Sequence, residues 1–326
     1  MAKRSLTATA IAPDDAGDYD SLAERYGCFF DRVAWTSLWG DALTRVGIYG
    51  AGGHLRGGFC VAERRKFGLR ILRNPPYTPR IGPFFEYRTT NPAARTSEHR
   101  DVQEAMAAFS SSRGAAVVTL GLSLGTTDCL PFYWRGFKVV PRYTYRIGLR
   151  REAGEVLSGM SVDRRNDVTK AEHDGIEVTE MRDVEHLRSL VMDTYARQHK
   201  AFPVDEMDRV LSAFPPGASS FGFLAASGGR PMVAVYTVHD KETAFCLLTG
   251  YCSSGAHRGA GALAMVKTIL KAQEMGLATF DFEGSVIPPI EKYYRGFGGT
   301  LTPYFSVNKA WLPIEMLLKI RYRERF

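Results

Sequence analysis

Two acidic residues stand close together in a stretch with the pattern of a β-strand. The side chains of Leu277–Glu283 alternate between two faces, with Phe280 and Phe282 on one of them. Asp281 and Glu283 fall on the other face and therefore point the same way. Two carboxylates placed like this can accept a proton from an attacking nucleophile. Equally, each could form a salt bridge with a neighbouring arginine, which would make the pair structural.

A short helix is predicted directly after this strand. Pro288 and Pro289 suit its first turn, and Gly296 suits its end. Tyr294 and Arg295 would project beside the C-terminal end of the strand, where open α/β sheets bind ligands. A phenol and a guanidinium both donate hydrogen bonds, so they could stabilise an oxyanion or orient an acceptor.

The motif that ends this helix occurs twice in the chain. YWRGF at residues 133–137 matches YYRGF at residues 293–297, and a proline and an aromatic-rich strand follow each copy. A helical run and then a strand introduced by glycine precede each copy. This recurrence predicts two copies of one α/β unit. Arg135 holds the place of Arg295 in a copy without an acidic strand face, so a structural role is open for Arg295.

The loop Asn74–Phe85 contains four prolines, which restrict its backbone. Tyr77 and Arg80 are therefore held in place without the support of a helix or strand, and they are candidates for contact with a substrate. A rigid surface turn is the other interpretation of this loop.

A basic run lies in the helix that is predicted over Gly154–Asp174. Arg164 and Arg165 sit near its middle, where arginines could hold a phosphate or a carboxylate. A solvated helix face would have the same composition.

Three strands with short turns are predicted between residues 221 and 251, as an antiparallel meander. Tyr251 ends the last of these strands, and Tyr195 and Gln198 close a helix that precedes them.

The last segment, residues 311–326, reads as an amphipathic basic helix. Such a helix could pack on the body of the protein or contact a membrane surface.

The composition is that of a globular protein. With 326 residues, of which 45% are hydrophobic and 24% charged, the chain is long enough for two domains. A net charge of +7 and a pI near 9.1 would help to attract nucleotides, tRNA or an anionic membrane. The five scattered cysteines and seven isolated histidines predict no metal site and no Ser-His-Asp arrangement. Reduced thiols, together with the absence of a signal peptide, predict a cytoplasmic protein.

Together these motifs resemble the FemABX-like peptidyltransferases, a family built from two tandem domains of the GNAT (acetyltransferase-like) fold. The resemblance covers most of the chain and is strongest in Phe280–Lys309, where FDFEGS, IEKYYRGFGG and PYFSVNK look like family signatures. It implies an α/β (α+β) fold of two GNAT-like domains, residues 1–148 and 149–326, each a mixed, largely antiparallel sheet flanked by helices. The family typically has a functional lysine where this chain has Tyr294.

GNAT enzymes also hold the pyrophosphate of coenzyme A on a glycine-rich turn at the start of a helix, with an R/Q-x-x-G-x-G/A pattern. Residues 255–262 (GAHRGAGA) resemble that turn, because backbone amides at a helix start bind anions. Arg258, Gly259 and Gly261 are therefore the candidates for binding such a cofactor. Leu263 stands at the last position of the pattern, where a small residue is expected, and a plain turn into a helix is the alternative.

The resemblance implies an aminoacyltransferase or peptidyltransferase that forms an amide bond, with aminoacyl-tRNA as donor. Its acceptor would be an amine of a small molecule, a peptide or an envelope precursor, and no further cofactor would be required. The catalytic candidates are Asp281, Glu283, Tyr294 and Arg295, and the substrate-binding candidates are Tyr77, Arg80, Arg164, Arg165, Tyr195, Gln198 and Tyr251. Two alternatives are an N-acyltransferase that uses acyl-CoA or a carrier-bound acyl group, and a non-catalytic module that only binds a peptide, tRNA or precursor.

Overall fold

The structure, a computed structural model, describes residues 6–197, 202–252, 254–284, 287–323 and 326. Contacts within the chain define two compact units. The first consists of residues 1–142 with 303–326, and the second of residues 143–302. By these contacts, residues 303–326 group with the first unit, whereas the predicted division placed them in a C-terminal domain. That predicted boundary, at residue 148, stays a prediction.

The described residues form thirteen strands and eleven α-helices, besides three short 3₁₀-helices. The strands are β1 (Thr7–Ala10), β2 (Leu43–Tyr49), β3 (Leu55–Lys66), β4 (Leu69–Arg73), β5 (Phe84–Phe85), β6 (Val117–Gly121), β7 (Lys138–Gly148), β8 (Glu177–Glu180), β9 (Ser220–Ser227), β10 (Arg230–His239), β11 (Thr243–Tyr251), β12 (Thr279–Asp281) and β13 (Thr300–Ala310). The helices are α1 (Ala16–Tyr26), α2 (Val33–Thr36), α3 (Pro92–Ser112), α4 (Leu130–Trp134), α5 (Ala153–Ser158), α6 (Val162–His173), α7 (Glu185–Arg197), α8 (Val204–Ala213), α9 (Ala260–Glu274), α10 (Pro288–Arg295) and α11 (Leu312–Arg321).

The first unit is built on a mixed sheet in the order β1-β2-β3-β4-β6-β13. Its pairs are antiparallel except β4 with β6, and β13 joins through Ser306–Ala310. The long helix α3 begins where the Asn91 side chain accepts a hydrogen bond from the Ala94 N–H, and Pro92 starts its first turn. Val102 and Met106 of α3 are fully buried in the hydrophobic core of this unit. The apolar stripe of α3 thus covers the sheet.

The second unit has the strand order β7-β12-β11-β10-β9-β8. Here β11 and β12 are parallel and the other pairs are antiparallel, so the predicted meander β9-β10-β11 is confirmed. Helix α9 packs on β9, β10 and α6, and every residue from Ala260 to Val266 in its first half is buried. A helix that is apolar on all sides lies inside its domain. The site described below lies around the start of this helix.

The structure confirms the predicted recurrence of elements, as α3-β6-α4-β7 and α9-β12-α10-β13. It also confirms the fold class, a mixed α/β fold of largely antiparallel sheets flanked by helices. Helix α10 starts at Pro288 and is capped by Gly296, as expected. The helix predicted over residues 311–326 is formed by α11 over Leu312–Arg321. Two further predicted elements are shorter than expected. The helix over Gly154–Asp174 is broken into α5 and α6, because Ser161 takes an extended conformation and caps a new helix.

The strand predicted over Leu277–Glu283 is the other correction, since β12 spans only Thr279–Asp281. The chain turns at Glu283, whose φ is 60°, and at Gly284, whose φ is 76°. Extended alternation ends where φ becomes positive. Glu283 therefore does not continue the face on which Asp281 lies.

Candidate active site

The two parallel strands at the centre of the second unit separate along their length. β11 and β12 are in register only over Thr243–Phe245 of β11. β11 continues to Tyr251, paired on its other side with β10. An opening between two parallel strands at their C-terminal ends is where α/β folds place ligands.

A bulge kinks β11 beside this opening. The register shifts between Tyr236 and Thr237 of β10, whose partners on β11 are Leu248 and Cys246, so Leu247 is an extra residue. A bulge bends its strand and re-aims the neighbouring groups, and bulges are frequent next to active sites. Backbone groups at Leu247 are thus candidates for contact with an acyl carbonyl.

Asp281 ends β12 as a fully buried carboxylate. Its Oδ1 accepts hydrogen bonds from the Thr144 hydroxyl at 2.6 Å and from the Glu283 N–H at 2.9 Å. Its Oδ2 lies 3.4 Å from Nε of Arg146, which forms an ion pair with it. Both oxygens are engaged, so Asp281 holds the surrounding backbone in place instead of presenting a free face to a substrate.

Glu283 is half-buried and lies in the turn that follows. The turn depends on Gly284, because a Cβ at that position would lie 2.1 Å from the carbonyl oxygen of Tyr143. A non-glycine residue at positive φ is strained, and such strain is concentrated at functional sites. Burial raises the pKa of the Cys246 thiol to about 12, and the carboxylates of Glu283 and Asp281 add to this rise. The Glu283 carboxylate therefore lies near the bulged part of β11.

Three phenols meet at the end of β11. The hydroxyls of Tyr251 and Tyr293 both lie beside Gly261, at 2.8 Å and 3.1 Å from the place that a Cβ would take there, and the Tyr294 phenol lies near Tyr251 and Thr249. Burial raises the pKa of all three tyrosines above the ordinary value of 10. At neutral pH they are therefore protonated hydrogen-bond donors and do not act as bases.

Aromatic packing fixes the two tyrosines of α10. The ring of Tyr294 lies 5.0 Å from that of Phe282, and the ring of Tyr293 meets Phe297 edge-on at 5.1 Å. Rings packed in this way have little freedom to reorient. The helix thus presents its two hydroxyls to β11 in one arrangement.

Arg164 lies against the same cluster and is already paired. Its Nη2 lies 2.6 Å from Oδ2 of Asp167, and its guanidinium carbon lies 5.0 Å above the Tyr293 ring. Nε of Arg258 lies 3.1 Å from the other oxygen of Asp167. One buried carboxylate therefore links two predicted ligand-binding arginines, and the exposed Arg258 side chain is the one that solvent reaches.

Arg165 and Arg295 have contacts that support the structure locally. Nη1 of Arg165 donates a hydrogen bond to the Ser158 carbonyl at the end of α5, at 3.1 Å. Nε of Arg295 lies 3.2 Å from Oε1 of Glu291, which also accepts a hydrogen bond from the Tyr145 hydroxyl at 2.5 Å. These contacts agree with the structural alternative for Arg295.

The glycines of the predicted cofactor turn are required for packing within the protein. A Cβ at Gly259 would lie 2.1 Å from the carbonyl oxygen of Asp167 on α6. A Cβ at Gly261 would lie 2.8 Å from the Tyr251 hydroxyl and 3.1 Å from that of Tyr293. The lack of a side chain thus lets α9 approach α6 and the tyrosines closely.

His257 accepts hydrogen bonds from two backbone N–H groups that would otherwise be available to a bound pyrophosphate. Its Nδ1 accepts the Gly259 N–H at 3.1 Å, and its carbonyl accepts the Ala260 N–H at 3.1 Å. Its Nε2 lies 3.0 Å from Asp174. Two amides at the start of α9 are therefore satisfied internally, which weakens this turn as an anion site.

The remaining candidate of this unit in the described part of the chain is Tyr195. Its ring lies 4.1 Å from that of Phe202, and burial raises its pKa. Its phenol also contributes to the raised pKa of Tyr294, which brings it to the same cluster. Gln198 lies outside the described residues.

Tyr77 and Arg80 belong to the first unit. Tyr77 has a positive φ of 53°, and Arg80 is buried with its guanidinium 5.2 Å above the Tyr304 ring. Thr78, which lies between these two residues in the sequence, anchors the loop, because its hydroxyl accepts a hydrogen bond from the Trp35 indole N–H at 2.8 Å. Thr78 and Arg80 are buried and no residue of the loop is exposed, so the loop is packed into its unit and is not a surface turn. A role in substrate binding stays a prediction.

Sequence patterns did not reveal several residues of this site. Thr144 and Arg146 alternate on β7, but only the pairing of β7 with β12 brings them to Asp281. Asp167 could have been found, since it follows Arg164 by one helical turn. Thr249 had no signal beyond its place near the end of a strand.

Metal and membrane-spanning features are absent from the part of the chain that the structure describes. No three His, Cys, Asp or Glu side chains there are grouped closely enough to hold a metal ion. No helix there is long and apolar enough to cross a membrane. All five cysteines are free thiols.

Residues 162–293 match the family model of the acetyltransferase (GNAT) domain. This segment holds α6, the meander, the glycine turn and Tyr293 of α10, and it ends one residue before Tyr294. The second unit thus contains a GNAT domain, and the predicted class of enzyme, an acyltransferase, is confirmed.

The whole chain is similar in fold to several solved structures. It superposes on FemX with a TM-score of 0.69 at 12% identity, covering 96% of this chain and 99% of that one. The C-terminal domain of a putative lysylphosphatidylglycerol synthetase from Agrobacterium fabrum gives 0.60 at 12% identity, covering 94% and 95%. A tandem GNAT protein from the clavulanic acid biosynthesis pathway gives 0.52 at 12% identity, covering 94% and 98%. The FemABX-like tandem GNAT fold predicted from the sequence is confirmed, and a comparison with curated proteins found no match.

Proposed function

We propose that this protein is an aminoacyltransferase, which transfers an amino acid from aminoacyl-tRNA to an amine and forms an amide bond. The observation that carries the proposal is that protonated tyrosines, Tyr251, Tyr293 and Tyr294, and the half-buried Glu283 lie where β11 and β12 separate. Cys246 of β11 is within electrostatic reach of Glu283 and also of Tyr251 and Tyr294. Aminolysis of an ester needs a proton acceptor for the amine and donors for the oxyanion. Both kinds of group are present in this cluster.

The reaction assigns one role to each group. The acceptor amine attacks the ester carbonyl, the new C–N bond forms, and Glu283 takes the amine proton. Tyr294, a neutral donor, stabilises the oxyanion of the tetrahedral intermediate together with a backbone N–H at the Leu247 bulge. The ester C–O bond then breaks, and the ribose oxygen of the tRNA leaves with the proton held by Glu283. Asp281 does not exchange protons in this scheme, because it is fully buried and holds the Glu283 turn.

The glycine turn favours a donor other than coenzyme A. Gly259 and Gly261 face protein atoms at distances that leave no room for a Cβ, and His257 already uses two amides of the turn. The proposed donor has no pyrophosphate for this turn to bind. Of the proteins with a similar fold, the putative lysylphosphatidylglycerol synthetase has a name that specifies an aminoacylated product. A basic chain, with a net charge of +7, also suits an RNA donor.

A second candidate is an N-acyltransferase that uses acyl-CoA. It is favoured by the match of residues 162–293 to an acetyltransferase domain. In this case Arg258, which is largely exposed, would be the cation nearest to an incoming pyrophosphate. The chemistry at Glu283 and Tyr294 would be unchanged, because a thioester replaces the ester.

A binding titration separates the two donors. The probes are a fluorescent RNA minihelix that ends in CCA with an amide-linked amino acid, which cannot be hydrolysed, and coenzyme A as its competitor. We expect the minihelix to bind more tightly than the same RNA without the amino acid, and coenzyme A not to displace it. Tight binding of coenzyme A with no discrimination for the aminoacyl group would contradict the proposal and support the second candidate.

A further inference from the structure

Helix α11 exposes a row of large apolar side chains. Leu312, Met316 and Ile320 follow each other at intervals of four residues and are 72%, 62% and 85% exposed, and Leu317 beside them is 69% exposed. Residues four apart lie on one face of a helix. Soluble proteins seldom leave such a continuous apolar row in water without a function for it.

The opposite side of α11 is attached to the first unit. Ile314 and Leu318 on that side are half-buried. The N–H of Trp311, at the start of the helix, donates to the Ala116 carbonyl at 3.0 Å. The packing predicted from the sequence therefore uses one side of the helix and leaves the apolar row facing outward.

Two aromatic side chains of α4 extend this surface. Tyr133 and Trp134 are 67% and 62% exposed. A groove of about 660 Å³ is lined by both of them and by Lys319 of α11, so the aromatic residues and the helix border one surface. In the second copy of the motif, the matching Tyr293 and Tyr294 are half-buried and belong to the candidate active site. In the first copy, the side chains at the same two positions are exposed to solvent.

Basic side chains lie next to the apolar row. Lys319 and Arg321 belong to α11, and Arg323 follows shortly after its end. Between residues 311 and 323 the sequence contains one acidic residue, Glu315. Glu315 is paired with Lys319 at 2.7 Å. Lys138 also lines the groove. An exposed apolar stripe with basic and aromatic neighbours is the pattern of helices that lie in the interface of an anionic bilayer.

We infer that the surface formed by α11 with Tyr133 and Trp134, here called the α4–α11 face, docks on the surface of a bilayer that contains anionic lipids. The apolar row would enter the boundary between headgroups and acyl chains, while the lysine and arginines reach the phosphates. Tryptophan and tyrosine prefer that same boundary, because each has an apolar body and a polar end.

Charge argues against a second copy of this chain as the occupant. A symmetric contact brings the same patch of both copies together, so the basic residues of one copy would face those of the other. Like charges juxtaposed in an interface are costly. An anionic bilayer neutralises the same charges.

Co-sedimentation with vesicles tests the inference without any assay of turnover, so a failure here is separate from a failure of the proposed reaction. The probes are vesicles of phosphatidylcholine alone and vesicles with about 30% phosphatidylglycerol. We expect binding to the mixed vesicles, weaker binding as salt is raised, and at least tenfold weaker binding to the neutral vesicles.

Variants of α11 identify the surface. Replacing Met316, Leu317 and Ile320 by serine should abolish binding, and replacing Lys319, Arg321 and Arg323 by glutamine should weaken it about fivefold per charge. Phe67→Ser is the matched control, because Phe67 is 89% exposed at a hairpin of the same unit but lies outside the α4–α11 face. The control should bind like the unchanged protein.

Tryptophan fluorescence gives a second readout that needs no variant. Trp134 and Trp311 are exposed, whereas Trp35 and Trp39 are buried, so a change on adding vesicles reports the first pair. We expect a blue shift and quenching by brominated lipid. Equal binding to neutral and anionic vesicles, unchanged binding of the serine variant, or no spectral change would overturn the inference. So would a dimer in solution that the serine variant dissociates when no vesicle binding is seen.

Discussion

Oδ1 of Asp281 accepts the backbone N–H of Glu283 at 2.9 Å, so the first carboxylate of the pair positions the second. Asp281 is fully buried, and Glu283 is half-buried in a turn of positive φ. Two acids that a strand pattern would treat as equivalent therefore have different surroundings. The difference allows their roles to be separated by experiment.

Asp281→Asn should lower stability as well as activity. The change removes the charge opposite Arg146 and puts an amide beside its guanidinium. Because Arg146 is partly exposed, we expect a loss of about 2 to 3 kcal/mol in the free energy of unfolding, measured with urea. Glu283→Gln is the contrast, with a loss of stability below about 1 kcal/mol and a fall in kcat of roughly 10² to 10⁴. Equal effects of the two variants on stability would contradict this division of roles.

Tyr294→Phe should slow the reaction with little effect on the fold. The ring keeps its packing on Phe282, but the donor to the oxyanion is lost. We expect kcat to fall by roughly 10² to 10³ while KM for the donor changes little, as measured by steady-state kinetics. Tyr133→Phe is the matched control, since it removes an exposed hydroxyl from the first copy of the motif. A kcat for Tyr294→Phe within about twofold of the control would rule out this role.

Gly259→Ala should destabilise the protein strongly. The new Cβ would lie 2.1 Å from a backbone carbonyl of α6, which no side-chain movement can relieve. We expect a loss of about 3 kcal/mol or more in thermal or urea unfolding. Gly154→Ala is the control, because it lies in α5 with no atom within 4 Å of the new Cβ, and it should stabilise by about 0.5 kcal/mol. If Gly259→Ala retained full stability but lost affinity for coenzyme A, the turn would be a cofactor site after all.

The tyrosine cluster makes stability depend on alkaline pH. Burial raises the pKa of Tyr251, Tyr293 and Tyr294 in the folded state above the unfolded value of about 10. Below that pH both states keep the protons, so the stabilisation is complete. As pH rises further the unfolded chain releases protons that the folded chain retains, and stability falls by up to about 1.4 kcal/mol per pH unit for each tyrosine.

Urea unfolding between pH 8 and pH 11, with tyrosinate absorbance as a second signal, measures this dependence. Tyr251→Phe should reduce the slope above pH 10, whereas Tyr133→Phe should leave it unchanged. Full ionisation of all tyrosines in the folded protein near pH 10 would contradict the burial of the cluster.

Local sequence patterns correctly predicted the boundaries of α10 and the repeated order of elements. Prolines at 288 and 289 and a glycine at 296 bounded α10, and the repeated motif predicted the repeated order of elements. The burial of Asp281 could not be predicted in this way, because its partner Thr144 is 137 residues away in the sequence. The positive φ of Glu283 could not be predicted from the sequence either, because glutamate has no intrinsic preference for that conformation.

The glycine turn shows a different limit. Its composition is compatible both with an anion site and with close packing of backbone. The choice depends on what lies opposite, which is the carbonyl of Asp167 for Gly259 and a pair of tyrosine hydroxyls for Gly261. Other elements, α6 for Gly259 and β11 with α10 for Gly261, bring these groups to the turn, so the pattern alone could not decide.

The most direct test of the proposed reaction is single-turnover transfer from a minihelix charged with a radiolabelled amino acid to a peptide with a free lysine amine. The unchanged protein should form a labelled amide, Glu283→Gln should slow this step at least a hundredfold at pH 7, and raising the pH should partly restore it, because hydroxide can then take the proton that the attacking amine must lose. Label that stays on the RNA with the unchanged protein, while acetyl-CoA acylates the same peptide, would contradict the proposal.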